Sequence, residues 1–225
     1  MTNSTEPTRS AFRSPGLLAL FAFLAILTAA GLLGLDRMTA DFMRQHEPAW
    51  AYLTSVALSL VGGSGLYPIM AAVFLVWSWR RPDRRLWRTC LWVLTAEAAC
   101  CLLVRVFKIG FGRWRPNQVL GGQFEFFQLF KSKCHSFPSG HTGDAAAVAA
   151  VLWFACPRLR PLCVAWVVLM ASARIGASQH FVADAATGAA CGILCALMVG
   201  RKLDVIGRWI EGLARGQKSE VSGQP

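Results

Sequence analysis

Residues 17–35 read LLALFAFLAILTAAGLLGL without a single charge, and no other feature limits the possible folds as strongly. At 1.5 Å per residue such a run matches the roughly 30 Å hydrocarbon core of a bilayer. Inside lipid the backbone must satisfy its own hydrogen bonds, so the run is read as a helix. Ala29-Ala30-Gly31 is a small-residue patch of the kind that ends a signal peptide. The apolar run is longer than a signal core, so a retained span is expected. Further apolar runs cover about 66–79, 86–107, 139–155, 162–178 and 183–200. The run 49–61 has only thirteen residues and stops at Gly62-Gly63-Ser64-Gly65. That length suits an interfacial helix rather than a span. The expectation is an all-α integral membrane protein with six transmembrane helices and one extra interfacial helix between spans 1 and 2. Residues 1–16 and 201–225 would be cytoplasmic tails, and 17–200 a single membrane domain.

Charge sets the orientation. Arg80, Arg81, Arg84, Arg85 and Arg88 crowd one loop, and Arg158 and Arg160 another. Positive loops stay in the cytoplasm. Counting spans from there brings Lys108, Ser139, Ser178 and Val182 to the extracytoplasmic side of an inner membrane. The net charge of +11 could suggest nucleic acid, but no aromatic-basic motif supports it, so no nucleic-acid partner is expected. Seven of the eight cysteines lie in or at the ends of apolar runs, as small hydrophobes do. Cys134 stands in a polar loop without an evident partner. Cys134, His135 and His141 lack a fourth ligand or a Cys-x-x-Cys pair, so no zinc site is read here.

Three stretches carry chemistry: KIGFGRWRP (108–116), PSGH (138–141) and RIGASQHFVAD (174–184). Lys108, Arg115 and Arg174 are cations with no acidic neighbour in sequence, and arginine forks match phosphate oxygens in pairs. Ser139 and Gly140 precede an apolar run, where a helix N-terminus offers free N–H groups to an anion. Pro138 gives that helix a rigid start. His180 lies one helical turn before Asp184, which can hold one imidazole nitrogen and leave the other for a substrate. His141 adds a second imidazole. A nucleophilic His180, an acid–base His141 and a cationic cradle make a phosphoryl-transfer site. Asp144, one turn after His141, is an accessory carboxylate that could orient it. Arg113 is read as meeting lipid headgroups. Glu97 and Arg105 are either a pair within the third span or bundle-lining groups. His46 and His135 receive no role.

These stretches resemble the motifs of the type 2 phosphatidic acid phosphatase (PAP2) superfamily, KxxxxxxRP, PSGH and SRxxxxxHxxxD. The match runs from Lys108 to Asp184 and departs once, with Ala173 where the family has Ser. The resemblance implies a metal-independent membrane phosphatase that forms a phosphohistidine at His180 and uses no cofactor. Its substrate would be a lipid phosphate or diphosphate such as undecaprenyl diphosphate, phosphatidic acid, phosphatidylglycerol phosphate or a lipid A phosphate. The alternatives are a phosphotransferase on the same scaffold and a non-catalytic lipid transporter. Vanadium haloperoxidases share the constellation, but their soluble character does not fit this chain.

FEFFQLF (124–130) lies between the first two motifs. Four phenylalanines suit a loop that dips into the acyl boundary beside the site.

Overall fold

A computed structural model describes residues 14–46, 48–61, 65–80, 84–118 and 121–222. The described residues are almost entirely helical. Helix α1 (Pro15–Ala30) starts at a Ser14 cap and passes through a π-turn (Gly31–Leu35) into α2 (Asp36–His46). Then come α3 (Ala49–Val61), α4 (Leu66–Arg80) and α5 (Arg84–Phe111). After a long loop follow α6 (Gly140–Ala155), α7 (Arg160–Gly176) and α8 (Val182–Ser222). Among the described residues, four helical stretches are long and apolar enough to cross a membrane: Pro15–His46, Arg85–Phe111, Pro157–Gly176 and Val182–Leu203.

Helices occupy the runs expected at 86–107, 139–155, 162–178 and 183–200, to within a few residues at most boundaries, and the second and last of the four stretches named above fall on the first and last of these runs. Two features add to these expectations. Helix α3, expected to lie at the interface, packs along α7, while α4 packs on α5. The segment from 201, expected as a tail, continues α8 to Ser222. A long apolar helix has no reason to stop at Arg201, because Arg, Lys, Leu and Asp are all compatible with helix. Residues 1–13 of the N-terminal tail and 81–83 of the arginine loop lie outside the described residues.

The centre of the bundle is the contact between α6 and α8. Here the sequence supplies small residues so that two backbones can touch. A Cβ on Gly192 would lie 2.0 Å from the Gly143 carbonyl oxygen, and one on Gly188 2.3 Å from that of Ser139. Lipid gives helices no hydrophobic reason to associate, so such close packing carries the contact. Ala145, Ala146, Ala147 and Ala196 continue the small-residue surface and are fully or almost fully buried. Helix α5 closes one side, with Trp92 Nε1 donating to the Ala196 carbonyl at 2.7 Å. The outward faces remain apolar: Leu33, Ile26, Leu102 and Val168 are all exposed, as lipid-facing residues are.

This packing fixes the site. Ser139 N–H donates to the Asp184 carbonyl at 2.9 Å, which ties the start of α6 to the start of α8. The ends of α5 and α7 reach the same end of the bundle. The opposite end is marked by Arg85, whose guanidinium donates to the Ala155 carbonyl.

Candidate active site

Four helix ends build the site. Helix α5 presents Lys108 in its last turn and stops at Gly112, which takes φ +53°. A side chain there is impossible, since a Cβ would lie 1.8 Å from the Glu125 carbonyl oxygen. Gly112 thus acts as a left-handed helix terminator and turns the chain inward at Arg113. Helix α6 begins at Ser139, whose Oγ lies 3.0 Å from Thr142 Oγ1 and caps the Thr142 N–H at 3.5 Å. Gly140 follows, and a Cβ on it would be 3.7 Å from Lys108 Nζ. The lysine therefore lies over the N-terminus of α6, where free N–H groups add to its field. Helix α7 delivers Arg174 in its last turn, and the Arg174 carbonyl accepts from the Gln179 and His180 N–H groups at 3.2 Å each.

All the residues expected to act together are brought to this one end. Lys108 is within electrostatic reach of Arg115, Arg174, Asp144 and Asp184. His141 faces Arg174, Lys108 and Arg115, and His180 faces Lys108, Arg174 and Asp184. Among the described residues none of Lys108, Arg115 and Arg174 forms a salt bridge. Arg115 instead donates to the Gln179 amide oxygen. Burial draws the Arg115 guanidinium below its ordinary value against the pull of Asp184, and an arginine there stays charged. Three cations with no carboxylate partner and little water form a site that wants an anion.

His180 is 2% exposed and its Nδ1 lies 3.6 Å from Asp184 Oδ2. That is an ion-pair distance rather than a formed hydrogen bond, and Nδ1 has no other partner. Burial pushes the imidazole down to about 3, with Asp184 pulling the other way. The ring is neutral across the physiological range. A small, partly open cleft lies beside it, lined by Thr39, Met43, Pro116 and Ile175 among others.

The PAP2 superfamily profile matches residues 86–204, just over half of the chain. The chain belongs to the PAP2 superfamily. Two solved structures share its fold. The PAP2-type phosphatidylglycerolphosphate phosphatase of Bacillus subtilis is 22% identical with a TM-score of 0.61, covering 81% of this chain and 92% of its own. Aquifex aeolicus LpxE is 23% identical with a TM-score of 0.57, covering 74% of this chain and 94% of its own. No curated protein sequence matches the chain significantly.

Within this PAP2 scaffold several sequence readings need correction. Arg113 does not meet lipid headgroups. It is 3% exposed, and its fork joins Asp184 Oδ1 to Asp36 Oδ2. Cys134 is a free loop thiol, but it is fully buried and has a partner, its Sγ donating to Glu125 Oε2 at 3.6 Å. Glu97 and Arg105 form no ion pair; Glu97 turns inward and Arg105 faces out. Asp144 is buried within reach of Lys108, Glu97 and Tyr67. Ala173 lies in an apolar cluster with Tyr67, Ala145 and Met170, so the family serine would be buried there among nonpolar neighbours. His135 is occupied by the Gln128 carbonyl at 2.7 Å, and the described residues hold no cluster able to ligate a metal.

Three contributors had no role in the sequence reading. Ser136 donates to Asp184 Oδ2, Gln179 accepts from Arg115, and Asp36 accepts from Arg113 and from the Ala183 N–H. For Asp36 a signal was available: a carboxylate at the edge of an apolar run is functional by default in a membrane helix.

Proposed function

We propose that this protein is a membrane phosphatase that hydrolyses a lipid phosphate or diphosphate through a phosphohistidine at His180. The observation that carries the reading is the neutral, buried His180 beside Asp184, opposite the buried Arg174 and the half-buried Lys108 and Arg115, none of which forms a salt bridge. Lys108, Arg115 and Arg174, with Ser139 and the Gly140 end of α6, would hold the phosphoryl oxygens. His180 attacks phosphorus; the P–N bond forms as the P–O bond to the leaving group breaks. Asp184 offsets the positive charge that develops on the ring. His141 donates the proton that the leaving oxygen needs, then takes one from the water that cleaves the P–N bond. The phosphate's negative charge offsets the cations facing His141, so an imidazolium there is compatible with the filled site.

A phosphotransferase would pass the same intermediate to a lipid hydroxyl. A product assay with and without acceptor separates the two. The decisive screen measures phosphate release from undecaprenyl diphosphate, phosphatidic acid, phosphatidylglycerol phosphate and lipid A phosphates in detergent. Activity is expected to persist in EDTA, because cations and imidazoles need no metal. Vanadate is expected to inhibit as a mimic of five-coordinate phosphorus. Loss in EDTA that Mg²⁺ restores would overturn the mechanism.

The topology that fits the charge pattern counts α3 and α4 together as one interrupted crossing. Six crossings then put the site on the extracytoplasmic face. Cys134 cannot report this, being buried, but Ser132 beside it is exposed. A Ser132→Cys variant in intact cells is expected to react with a membrane-impermeant thiol reagent well above the parent. Labelling only after the membrane is breached would reverse the orientation.

A further inference from the structure

The carboxylate that orients His180 is itself held by residues that the family motifs leave unspecified. The Arg113 guanidinium spans two acids, donating from Nη1 to Asp184 Oδ1 and from Nη2 to Asp36 Oδ2 at 2.8 Å. All three side chains are 4% exposed or less. Two aromatic rings sandwich the guanidinium, with Phe181 4.2 Å and Phe124 5.2 Å from the central carbon. Asp36 Oδ1 accepts the Ala183 N–H at 3.0 Å, at the first turn of α8. Asp184 Oδ2 is fixed in turn by Ser136 and by the Phe181 N–H at 2.9 Å.

Asp36 comes from the first long helix, far outside residues 86–204 that the family profile matches. The chain bends to bring it there. The π-turn between α1 and α2 carries Gly34 at φ +151°, a backbone state that other residues rarely adopt. Such turns inside helices cluster at functional sites. Gly31 clears the space: a Cβ on it would lie 2.7 Å from Asp36 Oδ1 and 2.8 Å from the Ala183 Cβ.

We propose that Asp36 and Arg113 are positioning residues for catalysis, acting through Asp184 on His180. A buried ion triad is a poor device for stability alone, since desolvating three charges offsets most of their attraction. It is a good device for geometry and charge. The fork fixes the rotamer of Asp184. Asp36 also cancels the charge of Arg113, so two acids and one arginine leave a net charge of −1 beside the ring. That is the counter-charge a cationic phosphohistidine requires. Without Asp36, Arg113 would neutralise Asp184 and the ring would lose it.

This inference rests on the phosphohistidine reading, and its test separates the two. Asp36→Asn and Arg113→Lys, purified in detergent, are expected to lower kcat by about 10–100-fold, the usual cost of losing an outer partner, with KM within about twofold. Melting temperatures are measured alongside, and rates are taken well below each. The discriminating step is a cycle in the Asp184→Asn background. There Asp36→Asn is expected to cost less than about threefold, because the group it acts through is already neutral. A structural staple would cost the same in both backgrounds. Equal losses in the two backgrounds, or a lower melting temperature with unchanged kcat, overturn the proposal. Should Asp36→Asn not fold, the Arg113→Lys cycle decides by the same criterion. Full activity in His180→Ala would instead sink the reading of the site itself.

Discussion

His180→Ala is expected to abolish phosphate release, with a loss of roughly 10⁴–10⁶-fold in kcat, while the protein still inserts and folds. The ring is buried and makes no formed side-chain hydrogen bond, so its removal leaves the Arg113–Asp184–Ser136 contacts in place. Asp184→Asn is expected to cost less, about 10²–10⁴-fold, because His180 keeps its attacking nitrogen and loses its counter-charge. It also leaves Arg113 with one acid in place of two, so a lower melting temperature accompanies it. The same site predicts a pH profile. Burial holds the folded-state pKa of His180 near 3, far below the 6.5 of a free imidazole. The nucleophile therefore stays unprotonated as pH falls through 6, and kcat/KM shows no His180 limb in that range. Stability behaves in the opposite sense to a salt-bridged histidine. Below the unfolded value of 6.5 the unfolded chain binds a proton that the folded chain refuses, so this group's contribution declines from about pH 6.5 towards 3. Substantial phosphate release by purified His180→Ala, or a steep acid limb near 6.5 that vanishes in that variant, contradicts the assignment.

The sequence made the later helices and their chemistry legible, for reasons that particular residues show. A lipid-facing helix must be apolar all round, so α5, α7 and α8 stand out by composition alone. His141, His180, Asp184, Lys108, Arg115 and Arg174 are legible because their spacing survives as motifs on helix ends. What was not legible depends on tertiary contact. Arg113 has the same residue type and nearly the same position as Arg115, yet Gly112 turns the one into the interior against Asp36, while the other reaches Gln179. No local pattern distinguishes the two. Asp36 is 148 residues from Asp184, and only packing of α1 on α8 brings them together. For helix α3 the sequence offers little beyond its length. Its packing on α7, with Leu58 in the Tyr67–Met170 cluster, is a property of its partner.

The FEFFQLF loop, once seen in space, divides into two functions, and this yields the second large effect. Phe124 and Phe126 stack on one another, Phe124 meets Phe137 edge-on, Phe126 meets Phe111 at a tilt, and Phe124 closes one side of the Arg113 guanidinium. Phe127 and Phe130 project outward at 83% and 92% exposure, with Leu129 at 54% between them. Phe127 holds φ +59°, an unusual state for an aromatic residue, and so turns its ring away from the cluster. Two bare phenylalanines are costly in water and natural at a bilayer interface. Lys131 and Lys133 follow them and are exposed, Lys131 against Glu125 at 2.9 Å, as basic residues at a headgroup layer would be. The loop closes onto Arg115, whose N–H donates to the Lys133 carbonyl at 3.2 Å, so whatever the rings dip into lies next to the cradle. A substrate whose chains stay in the membrane then meets the histidines with its phosphate already at the right depth. A long-chain lipid phosphate is therefore expected to exceed a water-soluble phosphomonoester by about 10²-fold or more in kcat/KM, the difference lying in binding energy that only the lipid supplies. Phe127→Ser with Phe130→Ser removes the projecting rings and leaves the Phe124–Phe126–Phe137 cluster intact. In vesicles it is expected to cut the lipid rate about tenfold while changing the soluble-ester rate less than about twofold. Equal losses on both substrates would make the loop a structural brace, and a preference for the soluble ester would remove the physical case for a lipid substrate.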